Sequence, residues 1–170
     1  MSSNHPKYAY TEQGLAVFCN SLNHENAVSD IFGEQPIKNK GFIKIKVVDG
    51  QLTAELHSII GEGEINEVCE NSPEIQKAVN DLLFCRENHT EYVLSFSRFA
   101  LFPAKLFHKD VADHLFYDSI IKGAGNMVFV IKDGKPYIEC YGQATSVEIE
   151  HEQQDIDAKI LMDNFHIEHN

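Results

Sequence analysis

The sequence predicts a single α+β domain with a mainly antiparallel sheet of about five strands and helices packed mostly on one face. Strand-like runs flank Asp49-Gly50 and Asp133-Gly134, and an Asp-Gly pair favours the two-residue turn of a β-hairpin. Between the hairpins, apolar residues recur at helical spacing and flank a central strand-like run. The chain has 170 residues, 43% of them hydrophobic, which suits one domain spanning 1–170.

The segment Phe42–Ile59 predicts the register of the first hairpin. Three apolar pairs fall on one face: Val47 with Leu52, Ile45 with Ala54, and Ile43 with Leu56. On the other face, Lys44 lies opposite Glu55 and Lys46 lies opposite Thr53. Because the pattern and the turn agree, one face is expected to be buried and the other solvated.

Before this hairpin, the sequence favours a loose N-terminus over 1–10 that ends in a short extended segment, Lys7–Tyr10. Thr11 is expected to cap a helix, because apolar residues follow it at helical spacing. These residues are Leu15, Phe18, Cys19 and Leu22. A second short helical stretch is predicted over 27–32.

After the hairpin, Ile60–Asn71 is expected to be an exposed connection. Helix-start signals at 71–74 then predict a helix, because Pro73 suits the first turn and Glu74 suits its positive end. The remaining elements are a central strand, a helix, a second hairpin with an extension, and an acidic C-terminal helix and tail over about 151–170. Their predicted ranges are Tyr92–Phe102, His108–Lys122, Met127–Ile131 with Tyr137–Tyr141, 143–150 and Gln154–Phe165.

The net charge of −12 restricts the classes of partner. A strongly acidic surface disfavours nucleic acid as the main target, because binding to a phosphate backbone needs a basic footprint. No apolar run is long enough to span a membrane. We therefore predict an acidic binding or regulatory module without a recognisable catalytic motif, with a protein or small-molecule partner that could be basic.

The cysteines indicate a compartment. Four are present, at positions 19, 69, 85 and 140, and no C-x-x-C motif occurs. With a polar start to the chain, this spacing predicts reduced thiols in the cytoplasm. The protein is also expected to form a homo-oligomer.

Two sets of side chains are candidate binding residues. Lys44, Lys46, Thr53 and His57 lie on the solvated face of the first hairpin and could bind a partner if the edge of that hairpin is open. His151, His166 and His169 form a possible metal-binding set near the C-terminus, although solvated surface histidines are an alternative for these residues.

The catalytic residues cannot be assigned from motifs. The sequence contains no G-x-S-x-G. Cys85 lies near Arg86 and His89 and could be activated by them, but its place after Leu82 and Leu83 also fits a half-buried structural thiol. No cofactor is predicted from these motifs.

The segment Asn126–Glu148, NMVFVIKDGKPYIECYGQATSVE, is similar to a strand pair of flavin-binding split-barrel proteins of the pyridoxamine phosphate oxidase type. Gly142 and Ala144 match the small residues of that hairpin. The resemblance implies an alternative function, a small flavin- or haem-binding split-barrel-like protein or oxidoreductase. It covers 23 residues.

Overall fold

The fold is described from a computed structural model of the chain. The structure describes residues 6–11, 14–20, 37–60, 64–68, 73–96, 98–116, 120–142, 154–165 and 167–169. The extension predicted over 143–150 and the helical stretch predicted over 27–32 lie outside these ranges. No helix in the described ranges is both long and apolar enough to cross a membrane.

Ten strands form one sheet in the described part of the chain. They are β1 Lys7–Thr11, β2 Ala16–Cys19, β3 Ile37–Val48, β4 Gln51–Ile60, β5 Glu64–Val68, β6 Glu91–Ser95, β7 Arg98–Phe102, β8 Gly123–Lys132, β9 Lys135–Tyr141 and β10 Ile167–His169. Their order is β5-β4-β3-β1-β2-β7-β6-β8-β9. Strand β10 lies off this path and pairs in parallel with β3, whereas the other pairs are antiparallel.

Three α-helices pack against this sheet within the described residues. They are α1 Pro73–Phe84, α2 His108–Leu115 and α3 Gln154–Asp163. The apolar residues of α1 and α3 join the larger core, together with alternate residues of the strands. Those of α2 join a smaller core on the opposite face of the sheet. The sheet is therefore covered by helices on both faces.

The predicted fold class is wrong in its architecture, although it correctly combined helices with an antiparallel sheet. The sheet has ten strands, not about five, and one of the three described helices lies on the second face. The additional strands come from the N-terminus predicted as loose, from segments predicted as helix, as connection or as one continuous strand, and from the C-terminal tail.

The first error concerns the segment after Thr11, which forms β2 and not a helix. All four residues of β2 are buried, and they alternate between the two cores. The Thr11 hydroxyl accepts a hydrogen bond from the Leu15 amide at 3.2 Å, so it closes the β1–β2 turn. A threonine can satisfy a nearby amide in a turn as well as at a helix start, and this ambiguity produced the error.

The second error concerns Tyr92–Phe102, which contains two strands and not one. Strands β6 and β7 pair antiparallel, with Ser95 opposite Arg98. The chain turns through Phe96, which has a φ of +55°. Phenylalanine rarely adopts this left-handed conformation, so residue types that signal a turn are missing at this position. The region lies at the centre of the strand order, as predicted, and residues on both of its faces are buried.

Two further boundaries differ from the predictions. Helix α2 ends at Leu115 instead of continuing to Lys122, and Gly123 begins β8. Strand β5 lies within the predicted connection Ile60–Asn71 and pairs with β4. The predicted start of α1 at Pro73 is confirmed, and α3 occupies most of the range predicted for the last helix.

Both Asp-Gly hairpins are confirmed. The register of β3 and β4 contains every predicted pair, including Lys44 opposite Glu55 and Lys46 opposite Thr53. Asp49 and Gly50 have φ angles of +52° and +75°, and Asp133 and Gly134 have the same two values. Two consecutive positive φ angles define a type I′ turn.

Candidate functional site

A cleft of about 560 Å³ lies beside α1. One wall is α1, which presents five side chains at helical spacing: Glu74, Lys77, Ala78, Asp81 and Leu82. The rest of the lining comes from β1, the β1–β2 turn, β2, residues 88 and 90, and the loop 103–105 after β7. Because β2 pairs with both β1 and β7, that loop leaves the sheet close to the β1–β2 turn. Cavities of this size commonly accommodate small molecules.

The lining of the cleft is largely apolar, and small residues create its space. Ala16 and Leu82 are buried, while Leu15, Ala78 and Pro103 are half-buried. Gly14, Ala16, Ala78 and Ala104 have little or no side chain to fill the volume between the walls. The cleft therefore offers a hydrophobic surface.

Tyr10 contributes the principal buried polar atom of the cleft. Its side chain is only 4% exposed and belongs to the larger core. Its hydroxyl has no hydrogen-bond partner among the described residues. Gly14, another lining residue, lies close to this hydroxyl: a Cβ added at Gly14 would be 3.4 Å from the Tyr10 oxygen. Buried hydroxyls are nearly always paired, so this one needs a partner that the described protein does not supply.

The other polar groups near the cleft are partly or fully engaged. The Thr90 hydroxyl donates to the Leu82 carbonyl at 2.5 Å. The Asn88 amide nitrogen donates to the Asp81 carbonyl at 3.1 Å. These bonds link the end of α1 to the start of β6 and hold that end of the cleft in place.

The charges on the cleft rim are of both signs. Lys77 and Asp81 pair at 2.7 Å, and Glu74 lies 3.7 Å from Lys38. The hydrogen bond to Asp81 raises the pKa of Lys77, with a smaller contribution from the carboxylate charge. Lys105 is exposed and has no carboxylate partner among the described residues. Within the described ranges, one positive charge on the rim therefore has no close anion to compensate it.

A second tyrosine of the same core has a different environment. The Tyr92 hydroxyl donates to Asp157 Oδ2 at 2.6 Å, and both residues are buried. Burial raises the pKa of Asp157, although the hydrogen bond from Tyr92 lowers it in part. Burial also raises the pKa of the neighbouring Cys140 thiol to about 12. A thiol with such a high pKa is a poor nucleophile at neutral pH. The role of this cluster is structural, because the bond between Tyr92 and Asp157 joins α3 to the sheet.

A third polar cluster fixes α2. His108 Nδ1 lies 2.8 Å from Glu91 Oε1, and its Nε2 lies 2.8 Å from the Gly125 carbonyl oxygen. Because a carbonyl only accepts, Nε2 carries a proton. Burial alone lowers the pKa of His108, but the bonds to Glu91 and Gly125 and the charge of Glu91 outweigh it and raise the pKa. The pair therefore favours the imidazolium form and stabilises the contact of α2 with the sheet.

The predicted partner-binding residues lie together on one face of the β3–β4 hairpin. Thr53 is exposed, whereas Lys44, Lys46 and His57 are half-buried. The Glu55 carboxylate, which the sequence did not single out as a site residue, contacts Lys46 and lies 2.6 Å from His57 Nε2. Burial raises the pKa of Glu55, but these two hydrogen bonds outweigh it and lower the pKa.

The edge of that hairpin is partly covered. Strand β5 pairs with β4 from His57 to Ile60, and β10 pairs with β3 at Ile45–Val47. The predicted partner-binding surface requires an open edge of the hairpin. Because β5 and β10 cover parts of it, this edge is at most partly open. The role of the four predicted residues stays a prediction.

The predicted metal set falls mainly outside the described ranges. His151 and His166 lie outside the described residues. The backbone of His169 lies in β10, opposite Val47. In the ranges that are described, no three His, Cys, Asp or Glu side chains converge as metal ligands would. The proposed set of His151, His166 and His169 stays a prediction.

Cys85 lies between α1 and the turn that contains Arg86. The Arg86 guanidinium binds Glu139 at 3.0 Å and lies 3.9 Å from the centre of the Tyr141 ring. His89 also packs near that ring. In the described part of the chain, no hydrogen bond joins Cys85 to Arg86 or His89. The hypothesis that these residues activate the Cys85 thiol therefore gains no geometric support.

Comparison with known proteins gives no match to a family model, a curated protein or a solved structure. The resemblance of Asn126–Glu148 to a split-barrel hairpin stays a prediction. Its first part forms β8 and β9, and Gly142 follows β9 with a φ of +74°. Ala144 lies outside the described residues.

The cleft itself was missed by the sequence analysis. Its lining comes from several separate segments of the chain, and four of its members are glycine or alanine. The β1–β2 turn, which carries Gly14 and Leu15, was predicted as the start of a helix. A buried hydroxyl without a partner has no signature in a sequence, because the pattern shows only that Tyr10 is aromatic.

Proposed function

We propose that the protein is a non-catalytic binding module and that the cleft beside α1 is its ligand-binding site. The observation that carries the proposal is the Tyr10 hydroxyl, which is buried at the cleft and has no partner in the described part of the chain. A ligand that bonds to this hydroxyl would compensate for its burial. The apolar lining would supply the hydrophobic part of the affinity.

The other polar clusters support binding over catalysis. The Cys140 thiol has a pKa of about 12, and its neighbours Tyr92 and Asp157 bond to each other. His108 bonds through both ring nitrogens to groups of the protein itself. Neither cluster lines the cleft, so each is best understood as a structural contact.

A fragment screen by NMR tests the proposal. Small neutral fragments should shift the amide signals of Gly14–Ala16 and of Ala78–Leu82, and they should be recovered unchanged by mass spectrometry. Ala78→Phe should remove these shifts, because its ring would occupy the cleft. Lys109→Phe adds the same ring at an exposed position of α2 that does not line the cleft, and it should leave the shifts intact. Hits that map elsewhere, or that survive Ala78→Phe, would disprove the site.

We also propose a basic protein as a partner of the acidic surface, supported by the net charge of −12. Binding of a short polylysine peptide should weaken steeply as salt is raised, because salt screens exposed charges. Binding that is independent of salt would exclude the electrostatic part of this proposal.

A cytoplasmic location and self-association complete the proposal. Among the described residues, Cys85 and Cys140 form no disulfide, which supports a reducing compartment. Phe96, Phe107 and Ile120 are large apolar side chains that remain exposed, which supports an interface between copies. Sedimentation equilibrium tests the second point, since a monomer at all concentrations would contradict it.

A further inference from the structure

We infer that the ligand of the cleft is a small aliphatic carboxylate, whose chain lies on the apolar lining and whose head group binds Tyr10 and Lys105. This inference rests on the proposed function and specifies the chemical class of the ligand. It follows from the arrangement of donors, charges and apolar surface around the cleft.

The first step concerns the hydrogen-bond donor. The Tyr10 hydroxyl is buried, lines the cleft and lacks a partner among the described residues. A phenol forms its strongest hydrogen bond by donating to an anionic oxygen. A carboxylate oxygen would therefore satisfy it better than an alcohol would.

The second step concerns the charges. On the α1 wall, Asp81 is neutralised by Lys77, and Glu74 is close to Lys38. Lys105 has no such partner in the described structure and lies on the loop that leaves the sheet beside the β1–β2 turn. The donor and this cation both belong to parts of the lining other than α1, namely β1 and the loop after β7. This arrangement favours an anionic head group there.

The third step concerns the body of the ligand. The apolar lining is aliphatic: Leu15, Ala16, Ala78, Leu82, Pro103 and Ala104. Tyr10 is the one aromatic side chain among the lining residues. An aliphatic chain packs on such a surface and gains roughly 0.8 kcal/mol for each buried methylene. A large planar ring system would have no aromatic surface on which to stack apart from Tyr10.

The overall charge of −12 opposes the approach of an anion. This repulsion is long-range, and at physiological ionic strength it is largely screened beyond about 8 Å. Contacts with Tyr10 and Lys105 act at short range and are not screened to the same degree. The local arrangement therefore outweighs the overall charge once the ligand has entered the cleft.

The experiment compares octanoate, octanol and octylammonium by isothermal titration calorimetry on the full chain. The three probes share one chain and differ in the head group. We expect octanoate to bind about tenfold tighter than octanol, because a hydrogen bond to a charged group is stronger than one to a neutral group. Because part of the preference should come from the Tyr10 hydroxyl, Lys105→Gln should reduce this preference without abolishing it. Lys109→Gln makes the same charge change on α2 and should leave it unchanged.

Two further variants locate the binding. Tyr10→Phe should weaken octanoate about fivefold or more, since it removes the donor and keeps the ring. Ala78→Phe should abolish binding by filling the cleft. Ala104→Phe provides a second block at an exposed loop position if the first variant fails to fold.

The outcomes separate this inference from the proposed function. Equal binding of octanol and octanoate, or tighter binding of octylammonium, overturns the carboxylate assignment. The cleft remains a binding site in that case if Ala78→Phe still blocks binding of the probes. Octanoate binding that survives both blocking variants overturns the assignment as well. If no probe binds while neutral fragments still map to the cleft, the ligand class is wrong. If neither probes nor fragments bind there, the proposed function fails too.

Discussion

Tyr10 and Tyr92 belong to the same hydrophobic core, yet their hydroxyl groups are in opposite situations. The Tyr92 hydroxyl donates to Asp157 inside the protein at 2.6 Å. The Tyr10 hydroxyl lies at a cleft and has no partner among the described residues. Tyr92 is 0% exposed and Tyr10 is 4% exposed, so the two residues are buried almost equally. The hydrophobic contribution to stability therefore does not distinguish them.

The difference shows how one residue type serves stability in one region and binding in another. At Tyr92 the hydrogen bond joins α3 to the sheet, and removal of either partner leaves a buried polar group alone. At Tyr10 no described group of the protein bonds to the hydroxyl, so its removal leaves no protein partner unpaired. A ligand in the cleft can bond to this hydroxyl instead.

The largest effect is expected from a change that disturbs the Tyr92 region through its packing. A Cβ added at Gly123 would lie 2.3 Å from Asp157 Oδ2, so Gly123→Ala must displace the carboxylate that binds Tyr92. We expect a loss of about 2–3 kcal/mol in the free energy of unfolding, measured by urea denaturation.

A double-mutant cycle sharpens this test. Asp157→Ala removes the group that the new methyl would meet, so the two substitutions together should cost less than the sum of the single variants. Strict additivity would show that the close packing of Gly123 and Asp157 does not determine the stability of this region.

A smaller effect is expected from the turn of the β3–β4 hairpin. Gln76 of α1 donates to the Ala54 carbonyl of β4 at 3.0 Å, so the hairpin helps to position one wall of the cleft. Gly50 has a φ of +75° and no heavy atom near an added Cβ. Gly50→Val should therefore cost more than about 1 kcal/mol through backbone strain alone. An unchanged denaturation midpoint would contradict the type I′ turn.

The contact of α2 with the sheet should depend on pH. Because the pKa of His108 is raised in the folded protein, its ion pair with Glu91 contributes fully below the unfolded pKa of about 6.5. The contribution is lost as pH rises through the raised folded pKa. Unfolding free energy, measured by urea denaturation across this range, should therefore fall from mildly acidic to mildly alkaline pH.

His108→Gln and Glu91→Gln are the controls for this pH dependence. Either variant removes the ion pair, so each should flatten the part of the profile that His108 produces. If both variants keep the slope of the original protein, the pH dependence has another source.

The sequence predicted the parts of the fold whose local signals agree. Both Asp-Gly turns and the full register of β3 and β4 are correct, since turn chemistry and strand alternation specify the same pairing. The Pro73 start of α1 is also correct. In these segments the local preference and the tertiary structure do not compete.

The errors arose where tertiary contacts override a local pattern. Strand β2 is buried on both faces, so its apolar residues show no alternation and also fit helical spacing. Phe96 occupies a turn position that usually takes Asn, Asp or Gly. The cleft could not be predicted because its lining converges from segments distant in the sequence, and its key feature is a missing hydrogen bond.

The most direct test of the account is the free energy of unfolding of Tyr10→Phe and Tyr92→Phe, measured side by side without ligand. Both substitutions delete one hydroxyl from a buried ring. We expect Tyr92→Phe to lose about 1–3 kcal/mol because Asp157 is left unpaired, and Tyr10→Phe to stay within about 0.5 kcal/mol of the original protein or to gain stability. Equal losses would show that the Tyr10 hydroxyl serves the fold, and the ligand-binding role of the cleft would lose its basis.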